Sequence, residues 1–358
     1  MKVRDPVFDV VKWLVMVFVV SGHVAGNDIT YRGDSSLTLF FGNFTMAVSM
    51  PLFFMISGYF AVRAFENGNV SKIIARIVGF LWPLASFGAV FGAVLFICGK
   101  ASWLKMIAYP LVRAYGGSWF LSTLATIFAI SAVVFRYVKT DKMRWFVFCL
   151  VYVALFFTAG QGGIASLFRF SSILHMFPYF VFGLMVLKPF EVYKISLVAI
   201  PCGIFLLAVV FLEGDVRSNG MAFYWVPSDW QTVVADGHLL LCFFARTAVG
   251  IAGSIFVLWA VDKLLKLVPQ LSRLAVFGTT TLGVYVMHEW PLMQIHKYFQ
   301  FEPLSSYWRW PLALALFLTC HYFTVLIRRY SISKFIFFGD EKLLSSKLDL
   351  VFTKCFSR

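Results

Sequence analysis

A chain of 358 residues that is 60% apolar, 19% aromatic and only 13% charged has too few ionic groups to coat a soluble protein, in which about a quarter of residues are charged. Its apolar runs are long and continuous, which excludes the alternating strands of about ten residues that build membrane β-barrels and predicts an all-α integral membrane protein. A net charge of +14 would suggest nucleic acid in a soluble chain; here it is read as topological, and no nucleic-acid partner is expected.

Hydropathy predicts a bundle of ten membrane spans, at 7–26, 38–62, 73–98, 118–138, 145–159, 174–187, 195–212, 239–261, 274–294 and 310–327. With the N-terminus inside, 22 of the 31 lysines and arginines fall on the inner side, which predicts an N-in, C-in topology by the positive-inside rule. The longest polar interruptions, 27–37, 99–117, 160–173 and 213–238, then lie outside, and short basic connections such as 139–144 and 188–194 lie inside. Residues 1–330 read as one membrane domain. Residues 331–358 read as a basic cytoplasmic tail whose Leu343, Leu344, Leu348 and Val351 suit a helix lying along inner lipid headgroups, with a frayed tail as the alternative.

The first span carries the strongest chemical signal. Asp9, Lys12 and His23 fall inside it, and ionisable groups in such segments are costly and kept for function. Eleven residues at about 100° each return to within about 20° of the same face, so Lys12 and His23 share a stripe, with Asp9 one turn before Lys12. About 16 Å of helix, at 1.5 Å per residue, separates amine from imidazole. That suits an elongated ligand with an anionic head near Lys12 and a reactive end near His23. Asp9 and Lys12 can equally neutralise each other, and His23 can be a packed histidine. The interruption by Lys12 and the lack of a small-x-small site predict that this span is retained rather than cleaved as a signal peptide. Gly22 leaves room beside His23 for a substrate or a second helix.

Further along, Lys72 and Arg76 open span three as inner-face anchors or as phosphate contacts, for which the arginine fork is suited. The outer stretch 213–238 combines Glu213, Asp215, Asp229 and Asp236 with Tyr224, Trp225 and Trp230. It fits either sugar stacking or an interfacial aromatic belt. In span nine His288 is followed by Glu289, a candidate polar cluster. His175, His238, His296 and His321 carry no supporting pattern. Six scattered cysteines without a CxxC pair predict neither a disulfide framework nor a metal site. No internal repeat of the kind common in transporters is visible.

Six segments, in order, carry a family resemblance. Arg4…Asp9-x-x-Lys12…Gly22-His23 has a basic residue, ten others and a histidine in the first helix. Pro51 to Phe60 contains Phe-Met-Ile-Ser57-Gly58-Tyr. Lys72 to Pro83 is a basic segment ending in proline, Gly117-Ser-Trp119-Phe-Leu121 a WFL segment, and Phe177 to Gly183 an FxxG stretch. Gly278-x-x-Thr281-Leu-x-x-Tyr285-x-x-His288 is a late motif with threonine where serine is usual. Together they resemble the acyltransferase-3 family of membrane O-acyltransferases over residues 4–330. The basic segment departs from the denser arginine clusters of that family.

The resemblance implies transfer of a short acyl group, by default acetyl with succinyl as an alternative, from acetyl-CoA or another short acyl-CoA to a hydroxyl of a cell-surface polysaccharide or lipid-linked sugar. The location would be the bacterial inner membrane. His23 would be catalytic and would act as base or as acyl carrier. Lys12, Lys72 and Arg76 would bind the acyl donor. Asp9, Ser57, Trp119, Tyr285, His288 and Glu289 would support the site or bind substrate. Glycan-assembly proteins are candidate partners, and a second transfer step of the kind that relatives perform with an esterase-like domain would fall to one of them. The competing reading is a transporter or flippase for a lipid-linked glycan.

Overall fold

A computed structural model describes residues 5–24, 36–112, 119–158, 170–216, 237–299, 306–339 and 344–349. The regular elements among them are all helical. In chain order they are α1 (Pro6–Val24), α2 (Ser36–Glu66), α3 (Val70–Ile97), α4 (Trp103–Val112), α5 (Trp119–Tyr137), α6 (Asp141–Thr158) and α7 (Phe170–Phe182). There follow α8 (Ser196–Val216), α9 (Gly237–Leu267), α10 (Thr281–Phe299), α11 (Ser306–Arg329) and α12 (Ser331–Phe338). Each of the ten expected apolar stretches overlaps one of these helices. Seven helical segments among the described residues are long and apolar enough to cross a membrane, and α8 adds the shorter apolar run Ser196–Val210. The described part is therefore a multi-pass helical membrane protein, the arrangement in which every backbone polar group is satisfied within its own segment. The helix α6 falls outside that set because it carries three charges, Asp141, Lys142 and Arg144.

One interruption differs from expectation. Part of the segment 99–117 is the helix α4, because Trp103, Leu104, Ile107 and Leu111 recur at helical spacing. It packs along α3, where a Cβ on Gly92 would lie 2.9 Å from the Met106 carbonyl. The aromatic and acidic positions 224–236 of the segment 213–238 lie outside the described residues.

The chain divides into two compact units. The first comprises Met1–Tyr59 with Pro178–Thr324, and the second Phe60–Phe177 with Val325–Arg358.

In the first unit two motif glycines let α2 and α7 meet backbone to backbone. A Cβ on Gly58 of α2 would collide with the Phe180 carbonyl of α7, and one on Gly183 would collide with the Met55 carbonyl of α2. Lipid tails are as apolar as leucine, so close backbone approach through small residues is what holds such helices together. At Gly183 α7 widens into a π-turn, Gly183–Leu187, a feature often found at functional positions. Beyond it Lys188 donates to the Tyr59 hydroxyl at 3.3 Å and lies over that ring. Phe8 packs on Tyr59 and on the fully buried Tyr193. The start of α1 is thereby clamped to the ends of α2 and α7. Gly183→Val is expected to lower the melting temperature by several degrees, since overpacking costs about 1–3 kcal/mol or more. Gly22→Ala, where a Cβ meets no described atom within 4 Å, is expected to leave it unchanged. Thermal unfolding in detergent checks both.

In the second unit α3 packs on α5, with Phe65, Phe80 and Phe128 meeting ring to ring. Asn69 caps α3 by accepting the Lys72 backbone N–H at 2.9 Å. The tail helix α12 is fastened to α3: Trp82 Nε1 donates to the Ile336 carbonyl at 2.9 Å, the Ser86 hydroxyl to that of Phe337, and Phe87 stacks against Phe337.

Candidate active site

The polar stripe of α1 resolves into two stations. At the first, Lys12 Nζ lies 2.6 Å from Asp9 Oδ1, with the aspartate side chain 4% and the lysine side chain 17% exposed. The late motif crosses α1 at this point. A Cβ on Gly278 would collide with the Asp9 carbonyl, and Trp13 packs on Phe277. Glycine at the head of the late motif is thus required by the path of α1. The amine keeps part of its surface open while the carboxylate is sealed, so the pair presents its cationic side.

At the second station, toward the end of α1, the ring of the half-buried His23 meets His288 of α10 edge to face, with centroids 5.2 Å apart. His288 is 1% exposed, and its Nδ1 lies 2.9 Å from the Val284 carbonyl. A carbonyl only accepts, so Nδ1 carries the hydrogen and Nε2 of the neutral ring holds the lone pair. That Nε2 is buried and has no hydrogen-bond partner among the described residues. A buried polar atom left open in this way calls for an explanation, and a reacting or orienting role beside His23 supplies one. Tyr285 is buried one turn earlier, its ring 5.9 Å from His288, and Glu289 is half-buried at the next position. His23, His288 and Tyr285, all expected from sequence, therefore form a chain of ring contacts, and Glu289, also expected, adjoins His288 in the chain.

Ser57 is in the first unit, and its hydroxyl donates to the Phe53 carbonyl of its own helix at 2.8 Å. Lys72, Arg76 and Trp119 belong to the second unit. There Lys72 is exposed and Trp119 opens α5. Arg76 is half-buried, and its Nε has no hydrogen-bond partner among the described residues, as suits a group awaiting an anion.

Two residues escaped the reading of the sequence. His321 of α11 is buried, and its Nδ1 lies 2.7 Å from the Thr280 hydroxyl inside the late motif. Its ring packs on Phe277 and Phe317. It fastens the segment that crosses α1. A lone histidine in an apolar run gave no pattern by which to find it. Arg246, a cation within the apolar run of α9, accepts from the Tyr179 hydroxyl at its carbonyl, and Gly250 makes room for the Tyr179 ring. Its charge inside a span was the available signal.

No curated protein and no solved structure matches the chain. A sequence model for an acyltransferase domain matches residues 5–329, nearly the whole chain, and so includes both stations of α1 and the late motif that crosses it. The match and the ordered motifs agree: the chain belongs to the acyltransferase-3 family.

Proposed function

We propose that this protein is an acyl-CoA-dependent O-acyltransferase of the bacterial inner membrane that esterifies a hydroxyl of a cell-surface polysaccharide or lipid-linked sugar, acetyl being the group moved. The observation that carries this reading is the meeting of two imidazoles, His23 and His288, the first of them on the same helix as a salt-bridged lysine about 16 Å away at 1.5 Å per residue. Acyl-CoA enters from the inner side and is held through its phosphates by Lys12, while Lys72 and Arg76 keep the donor-binding role that the family resemblance implies. Asp9 holds Lys12 in place. The thioester extends along α1 to His23.

There the sugar hydroxyl attacks the thioester carbonyl while His23 takes the hydroxyl proton. The C–S bond breaks, and the departing thiolate receives that proton. In the alternative order the imidazole first carries the acyl group and then passes it to the sugar. In either order His288 acts as a positioning residue. Its Nδ1–H is anchored on Val284, and its Nε2, open in the resting protein, accepts the N–H of His23 once the substrates bind, which aims the other imidazole nitrogen at the reacting atoms. A neighbour that fixes the tautomer of a catalytic histidine is a recurrent device in acyl transfer. Tyr285 and Glu289 border the acceptor sugar.

Mass analysis of surface polysaccharide from a deletion strain tests the reading. Intact glycan that lacks only its ester, restored by the wild-type gene, is the expected result. Unmodified glycan trapped on the inner face would favour a flippase and overturn it.

A further inference from the structure

The second unit contains a cavity that the acyl-transfer reading does not use. It measures about 540 Å³ and lies where α2 ends, α3 begins and α5 turns into α6. Phe65 and Phe135 form apolar wall, and Glu66, Arg136, Lys139 and Arg144 supply charge. Its cations are held in different ways. The Arg144 guanidinium lies flat on the Phe135 ring, 4.1 Å from its centroid. Its Nε donates to the Val138 carbonyl at 2.9 Å and its Nη1 to Asp141 at 2.8 Å, which leaves Nη2 uncommitted. Lys139 Nζ donates to the Arg136 carbonyl at 3.0 Å, at the end of α5. Arg136 forms no ion pair with Glu66, although both line the cavity, and its guanidinium has no partner among the described residues.

A preorganised arginine on an aromatic ring, an unspent arginine and a lysine around a half-apolar cavity have the character of a phosphate-ester site. Arginine forks match phosphate oxygens, and the volume falls within the range of small-molecule pockets, about 300–1,000 Å³. Surface cations that serve only as topological anchors need no cavity and no stacked arginine. We propose that this cavity binds the phosphate of an amphiphilic phosphate ester, either the nucleotide part of an acyl donor or an anionic lipid headgroup. The nucleotide alternative rests on the acyl-CoA reading; the site itself does not.

The test uses the full chain purified in neutral detergent, with binding of adenosine 3′,5′-bisphosphate and of dioctanoyl phosphatidylglycerol measured in separate titrations at fixed ionic strength. The double variant Arg136→Gln/Lys139→Gln spares the stacked Arg144, and melting confirms that it folds. Lys142→Gln removes an exposed cation of the same connection that does not line the cavity. Binding of one probe, weakened about tenfold or more in the double variant and unchanged in Lys142→Gln, is the expected result, and the probe that binds identifies the source. Binding of neither probe, no loss in the double variant, or an equal loss in Lys142→Gln would overturn the site. Binding is read here without acyl transfer, so failure of this site and failure of the proposed reaction are separately visible.

Discussion

Alanine at His23 is expected to lower acyl transfer by about 10²–10⁴-fold, the range for loss of a positioned acid–base group, while leaving the melting temperature close to wild type. The imidazole is half-buried at the end of α1, so its removal opens little core. Alanine at His288 is expected to cost about ten- to a hundredfold, mainly in kcat. It acts through its neighbour by setting tautomer and aim. The double variant is expected to be no slower than His23→Ala alone, because groups that work as a unit lose their effect together. The pH–rate profile gives the signature of positioning. In His288→Ala the residual activity should follow a displaced profile, since the remaining imidazole titrates without its partner. A purely structural His288 would lower activity at all pH values alike and lower melting with it, because its ring is 1% exposed in the core of the first unit.

Methionine at Lys12 is the second large effect, and it has two separable parts. Asp9 is 3% exposed and lies 2.6 Å from the ammonium. Removing the lysine breaks a buried ion pair, which typically costs about 3–5 kcal/mol. The single variant should therefore express poorly and melt early. Adding Asp9→Asn removes the buried charge that the lysine balanced and should recover most of the stability. Activity should not recover, because the amine proposed to grip the donor phosphates is still missing, and the loss should appear in KM for acyl-CoA. Recovery of activity together with stability would reduce Lys12 and Asp9 to a structural ion pair. Melting and donor titrations on the same three proteins read the two parts independently.

The sequence alone makes the helical class and the place of most helices legible, because apolar periodicity and the distribution of lysine and arginine are local properties. The facing of Lys12 and Asp9 is likewise local, set by one helical turn. Other features depend on tertiary crossing and have no local signature. Nothing in the spacing of His23 and His288 places the two rings side by side; that follows from the late motif passing over α1 at Gly278. The glycines of the Ser57-Gly58 and Phe177–Gly183 segments acquire their physical reason only when α2 and α7 are seen to touch backbone to backbone. Ser57 illustrates the opposite case, for a motif residue can spend its hydroxyl on its own helix. The helix α4 was hidden by the glycine, lysine and serine that precede it, although its apolar positions are helical in spacing. His321 and Arg246 were single polar residues in apolar runs. Their partners lie on other parts of the chain, out of reach of any reading of neighbours.

The most direct measurement of the central claim follows the acyl group itself. Membranes from a deletion strain, containing either wild-type protein or His23→Ala at equal amounts, are supplied with acetyl-CoA labelled in the acetyl group, and label in alkali-labile ester on the glycan is counted. Label should accumulate with wild type and fall to background with His23→Ala. Equal labelling by the two proteins would remove the imidazole pair from the reaction.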